Sequence, residues 1–226
     1  RNFYGVLQVV PEYTGEWGYV YKLRHGRIVH GLQFLNMNQR NWPTSYYGPD
    51  SGVGLAIRMH PRRGTDGTGS LRIGVIGLGA GKLAAYGKPG DIIRFYEINP
   101  EVVRLSDEWF TYRKDSLAQV DVVLGDARIS LERSWRESGS EEFDVLVVDA
   151  FSSDAIPMHL LTRECFDLYW RHLKPDGILA VHISNRYLDL GPVVRGPAGE
   201  VDRKALWFDT PADNQENTKG VDAADW

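Results

Sequence analysis

The stretch Arg72-Ile73-Gly74-Val75-Ile76-Gly77-Leu78-Gly79-Ala80-Gly81 decides the fold. Its first half reads as a buried strand, and the glycine turn that follows runs straight into an apolar segment, Lys82–Tyr86, expected to start a helix. Glycines let the backbone turn sharply and let a ligand approach without Cβ in the way, while a helix start presents free N–H groups. Gly77, Gly79 and Gly81 are therefore candidate cofactor-binding residues. A plain tight strand-to-helix turn has the same pattern, so the choice depends on what lies around it.

Downstream, strand and helix patterns alternate. Asp91–Glu97, Val120–Leu124, Phe143–Val148 and Gly177–Ile183 read as strands, and Pro100–Phe110, Ala127–Arg136 and His159–Leu173 as helices. Pro100 suits the first turn of its helix. Phe143–Val148 is almost wholly apolar, as expected of a strand covered on both faces. Strands joined by helical crossovers predict an α/β, Rossmann-like, parallel doubly wound sheet over residues 71–190. Upstream, residues 1–35 carry aromatic and β-branched runs broken by Gly and Pro, predicting a small antiparallel β element. With the polar, aromatic loop at 36–51 and a short helix at Val53–Met59, it forms an N-terminal unit over residues 1–60. Residues 60–70 read as a connector, and residues 191–226 are polar and poorly periodic, an incomplete C-terminal segment with no assigned element.

The carboxyl ends of the strands carry acids. Glu97 closes the second strand, 20 residues after Gly77, where a carboxylate can accept both ribose hydroxyls. Asp126, in Gly125-Asp126-Ala127, can accept from an adenine amino group or cap the helix behind it; both readings stand. Asp149 ends the fourth strand, and Asp154 follows in the loop Ala150–Pro157. Two carboxylates at the reactive end of a cofactor would position and deprotonate an amine. Ser153 or Asp154 also suits the cap of the helix expected after Pro157.

The chain has 226 residues, a net charge of −4 and a single cysteine, Cys165. One cysteine excludes an internal disulfide and a cysteine metal cluster. No basic run offers a footprint for nucleic acid. His30, His60, His159 and His172 lack metal-ligand spacing, so no metal is expected. Lys82 lacks the spacer and the following Ser or Thr of a phosphate loop. No stretch approaches the roughly 20 apolar residues of a membrane span. The chain starts within a strand pattern, without an initiator Met, and is expected to be part of a longer protein.

In order, the glycine turn, Glu97-Ile98-Asn99-Pro100-Glu101-Val102-Val103, Gly125-Asp126-Ala127, Phe143–Asp149 and Leu173-Lys174-Pro175-Asp176-Gly177 resemble the spermidine synthase (polyamine aminopropyltransferase) family, built on the class I methyltransferase fold. The likeness covers roughly residues 18–190. It is greatest to a divergent branch often attached to a membrane transporter-like segment. The resemblance implies that Glu97 holds the ribose, Asp126 the adenine amino group, and Asp149 the place of the general base. Asp154 would orient the acceptor amine, Gln33 contact the nucleoside, and Tyr46 or Tyr47 cap the site. His182 stands near where the family often has a glutamine and would touch the acceptor; a satisfied strand-end histidine is the plainer alternative. One departure is Ala80, where the family usually has an Asp for the donor's aminopropyl ammonium. A charge-assisted contact of that kind contributes about 1.5–3 kcal/mol.

The implied activity is transfer of an aminopropyl group from decarboxylated S-adenosylmethionine to a polyamine-type amine, with no metal. The rivals are a methyltransferase using ordinary S-adenosylmethionine and a non-catalytic nucleotide- or polyamine-sensing domain. A cytoplasmic location, with a membrane tether in the longer protein, and a homo-oligomer complete the expectations.

Overall fold

The computed structural model describes residues 3–26, 28–150, 157–185, 188–210 and 222–226. Strands β1 (Leu7–Tyr13), β2 (Tyr19–His25) and β3 (Ile28–Phe34) form an antiparallel sheet in the order β1-β2-β3. Helix α1 (Gly52–Arg58) follows, with Ser51 accepting from Gly54 N–H as its N-cap. Strands β4 (Arg72–Ile76), β5 (Ile92–Glu97), β6 (Gln119–Leu124), β7 (Phe143–Val148) and β8 (Leu173–Val181) form the main sheet. Its order is β6-β5-β4-β7-β8, and every neighbouring pair is parallel. Helices α2 (Pro100–Trp109), α3 (Tyr112–Asp115), α4 (Ala127–Ser138) and α5 (Arg163–His172) lie in the crossovers. This is the Rossmann-like parallel sheet with a small N-terminal antiparallel element that the sequence pattern predicts, and the methyltransferase-type fold that the family resemblance implies.

All six residues of β7 are buried, which explains the apolar run: as a central strand it is packed on both faces. One face packs with Leu71, Ile73, Val75, Ile93 and Phe95 toward α1 and the N-terminal unit. The other packs through Leu146 and Val148 against Leu131, Phe166 and Tyr169 of α4 and α5.

Three differences from the sequence reading exceed a residue or two. Lys82–Tyr86 is a single 3₁₀ turn rather than the start of an α-helix, because Gly87, Pro89 and Gly90 stop it within a turn and β5 begins at Ile92. Helix α5 begins at Arg163, not His159: Thr162 accepts from Cys165 N–H as its cap, after a separate 3₁₀ turn at Met158–Leu160. Ser153 and Asp154, the caps expected from sequence, lie outside the described residues. The fifth strand starts at Leu173 rather than Gly177. The C-terminal segment, unassigned from sequence, forms α6 (Gly191–Glu200) and a two-stranded ribbon of β9 (Asp209–Thr210) and β10 (Ala224–Asp225). Among the described residues no helix is long and apolar enough to cross a membrane.

Two polar clamps fix the N-terminal unit and the connector to the sheet. Gln33 donates to Arg40 O and Thr111 Oγ1, both at 2.9 Å, and accepts from Thr111 N–H at 2.9 Å. Arg63 and Asp91, 2% and 0% exposed at their side chains, form a bidentate pair with both contacts at 2.8 Å. Asp91 also accepts from Leu71 and Lys88 N–H, and Arg63 donates to Gly69 and Ile57 carbonyls. Every polar atom of the pair thus has work in holding the entrances to β4 and β5 together. Removing one partner leaves the other charge buried and alone, a loss of about 3–5 kcal/mol. Arg63→Leu or Asp91→Asn is expected to lower unfolding free energy by that amount in urea titration; a loss within experimental error of zero would show the pair to be dispensable.

Candidate functional site

The strand order sets the order of side chains along the carboxyl edge: Asp126 after β6, Glu97 at the end of β5, the glycine turn after β4, Asp149 after β7 and His182 after β8. In open α/β sheets this edge is where ligands sit. A cleft opens along it, lined from the sheet by Gly77, Gly79, Glu97, Asp126 and Asp149. The N-terminal unit closes its other side with His25, His30, Tyr46 and Tyr47.

The glycines are demanded by close backbone packing. Gly77 has φ 98°, and a Cβ there would lie 2.3 Å from the carbonyl oxygen of Asp149. Gly79 has φ 53°, with a Cβ placed 2.9 Å from the carbonyl of His30. The turn is therefore squeezed between the end of β7 and strand β3. Gly81 also has positive φ, but it sits against Ser106 and Arg113 and is not part of the cleft lining.

Glu97 is 9% exposed. One carboxylate oxygen accepts from Leu78 N–H at 3.0 Å and the other from Asn99 N–H at 2.8 Å. Burial raises its pKa, while the N–H groups of Asn99, Leu78 and Ile98 pull the other way. These fixed donors orient the carboxylate, which keeps lone-pair capacity for a further partner. Asp126 is the N-cap of α4, accepting from Ile129 N–H at 3.0 Å through Oδ1. Its Oδ2 meets His159 Nε2 at 2.8 Å, so capping and a place in the cleft wall coexist in one residue.

Asp149 is held at both oxygens: Tyr47 hydroxyl donates to Oδ2, and His182 Nδ1 lies 2.7 Å from Oδ1. Tyr46 and Tyr47 pack beside it with tilted rings, centroids 4.5 Å apart, and burial, with Asp149 close by, raises both phenol pKa values. His182 does not face the cleft. Its ring is stacked between Tyr46 and Trp226 and backs Asp149 from behind. Gln33 is likewise outside the cleft, its amide spent on the Thr111 clamp. Asp154 lies outside the described residues.

Several groups at this edge were not singled out from sequence. His30 reaches the cleft by the two-residue alternation of β3, and burial lowers its pKa. Trp226 comes from the far end of the chain, with no local signal. Lys82 is 1% exposed; its Nζ donates to Thr44 O at 3.2 Å and lies 4.9 Å from the Tyr47 ring centroid. Burial lowers its pKa to about 7, against the pull of Asp222 and Asp149. Ala80 is 2% exposed, and Gly31 packs over it so closely that a Cβ there would lie 2.7 Å from the Ala80 Cβ. Among the described residues, no cluster of His, Cys, Asp or Glu is arranged to hold a metal.

No family model matches the chain. It is 26% identical over 160 residues, 70% of its length, to a probable polyamine aminopropyl transferase of Bifidobacterium longum, and spans 32% of that relative's length. The fold is similar to that of a probable spermidine synthase from Corynebacterium glutamicum, with TM-score 0.63 and 20% identity, covering 94% of this chain and 76% of that one. It is also similar to human methyltransferase-like protein 13 in complex with SAH, with TM-score 0.56 and 20% identity, covering 72% of this chain and 75% of that one.

Buried Lys82 makes stability depend on pH. Its folded pKa of about 7 is below the ordinary 10.5, so the unfolded chain binds its proton more tightly. The resulting destabilisation is full below pH 7 and fades as pH rises toward 10.5. Lys82→Met is expected to melt higher than the parent at pH 6.5 and to match it near pH 10; a pH-independent difference would contradict the assigned burial.

Proposed function

We propose that this chain is a spermidine synthase-like transferase, moving an aminopropyl group from decarboxylated S-adenosylmethionine to a polyamine-type amine. The observation that carries the reading is the convergence of oriented carboxylates Glu97, Asp126 and Asp149 in one cleft beside the glycine turn. The Bifidobacterium longum relative supports the choice of chemistry.

In this reading Glu97 accepts the ribose hydroxyls and Asp126 the adenine amino group. The sulfonium already makes the adjacent carbon electrophilic, so the protein's part is to align donor and acceptor and supply a free amine. The amine nitrogen attacks the methylene carbon, and the carbon–sulfur bond breaks with its electron pair going to sulfur, giving a neutral thioether. The nitrogen's proton passes to Asp149. Tyr46 and Tyr47 cover this end of the cleft and exclude water. Asp154 would add a carboxylate for the acceptor.

A second reading, methyl transfer from ordinary S-adenosylmethionine, is favoured by Ala80: no carboxylate stands there to receive the ammonium of a decarboxylated donor. Calorimetry with both donors separates the two. The proposal expects the decarboxylated form to bind more tightly; binding of the carboxylated form alone would transfer the assignment to a methyltransferase. Glu97→Gln is expected to weaken either donor by about tenfold or more, the loss of a charge-assisted contact of about 1.5–3 kcal/mol. Asp149→Asn should lower turnover of a diamine acceptor by about 10²–10⁴-fold with donor affinity unchanged. If the parent binds donor but never transfers, the chain is a sensor domain.

A further inference from the structure

The end of β8 holds a hydrogen-bond chain that the proposed reaction does not yet use. His182, 5% exposed, places Nδ1 2.7 Å from Asp149 Oδ1 and Nε2 2.9 Å from Ser184 Oγ. Ser184 Oγ in turn accepts from Asp225 N–H at 2.7 Å. A carboxylate oxygen accepts, so the contact with Asp149 calls for the ring proton on Nδ1. The Ser184 hydroxyl, with one lone pair on Asp225 N–H, has its hydrogen to offer to Nε2. Rotation of the ring is blocked on both faces: Tyr46 stacks at 4.6 Å and 24°, Trp226 at 4.7 Å and 18°. Trp226 is itself fixed by its indole N–H on Tyr46 O and by paired backbone hydrogen bonds with Phe208, all at 3.0 Å.

We propose that His182 is a positioning residue: as a neutral ring it donates from Nδ1 to Asp149 Oδ1 and fixes the plane of that carboxylate toward the cleft. The proposal rests on the reading of Asp149 as the base that receives the amine's proton. The χ2 torsion of an aspartate is broad, so a carboxylate held only by Tyr47 would be free to swing about that contact. A second donor on the other oxygen removes the freedom.

Other roles fit the geometry less well. Aspartate, histidine and serine are connected as in a serine nucleophile's triad. Yet Ser184 is tied to Asp225 N–H, and neither Ser184 nor His182 lines the cleft. Contact with the acceptor fails for the same reason. A proton relay through the ring needs Nδ1 vacant, and the Asp149 contact puts the proton there. One consequence is that the chain end at Asp225 and Trp226, remote in sequence, sets the orientation of Asp149.

Long-range ¹H–¹⁵N correlation spectra of histidine-labelled protein read the tautomer without turnover, and Nδ1–H is expected for His182. His182→Gln keeps an N–H donor but cannot take up a proton. It should hold kcat within about tenfold of the parent with the same acid limb in its pH profile, whereas His182→Leu should lose about 10²-fold in kcat at unchanged KM and donor affinity. Ser184→Ala, a milder change, should leave the fold and donor affinity intact and keep the Nδ1–H ring, which the Asp149 carboxylate sets. An Nε2–H ring in the parent, or a Gln variant as inactive as the Leu variant, overturns the proposal. A parent that binds donor, shows the Nδ1–H ring and transfers nothing overturns the transferase reading instead, and leaves the hydrogen-bond chain supported.

Discussion

The site depends on one contact between backbones. Gly77 lies so close to the carbonyl of Asp149 that no side chain fits between them, and that approach joins the turn after β4 to the end of β7. Parallel strands β4 and β7 are neighbours in the sheet, with Ile76 paired to Val148, so their ends emerge side by side. Any residue larger than glycine would push the turn away from Asp149 and open the cleft floor. Gly79 repeats the constraint against His30, and through it the N-terminal sheet becomes the cleft's opposite wall.

Polar groups at this edge are oriented by backbone donors and neighbouring side chains rather than by solvent. Glu97 is held by two N–H groups, Asp126 by a helix N-terminus and His159, Asp149 by Tyr47 and His182. Each carboxylate is thus fixed before any ligand arrives, the condition under which electrostatic recognition costs least in reorganisation. The glycine turn contributes differently from the sequence expectation: with only a 3₁₀ turn behind it, there is no long helix dipole to favour an anion. A ligand whose charge is positive at its reacting end suits such a cleft better than a phosphate does.

Much of this was legible in the chain because it is local. The alternation of apolar strands and helical stretches, the glycine turn, and acids closing successive strands all follow from short-range pattern, and parallel pairing then puts the strand ends on one edge. What was not legible depends on distant partners. Nothing around Lys82 signals burial, since the tyrosines and Thr44 that cover it come from the N-terminal loop. Gln33 and Thr111, 78 residues apart, spend on each other the amide expected at the nucleoside. His182 needs Tyr46 and Trp226 on either side, themselves 180 residues apart. At Lys82–Tyr86 the apolar residues suit a helix, but Gly87 and Pro89 end it within a turn, and Thr162 as a cap starts α5 late.

The central claim is that this cleft holds an adenosine moiety across Glu97 and Asp126, with its reactive end at Asp149. A crystal structure with bound methylthioadenosine tests it most directly. The account predicts ribose hydroxyls on Glu97, the adenine amino group at Asp126, and the thioether sulfur facing Asp149 under Tyr47. Methylthioadenosine bound elsewhere on the protein, or seated with its ribose away from Glu97, would contradict it.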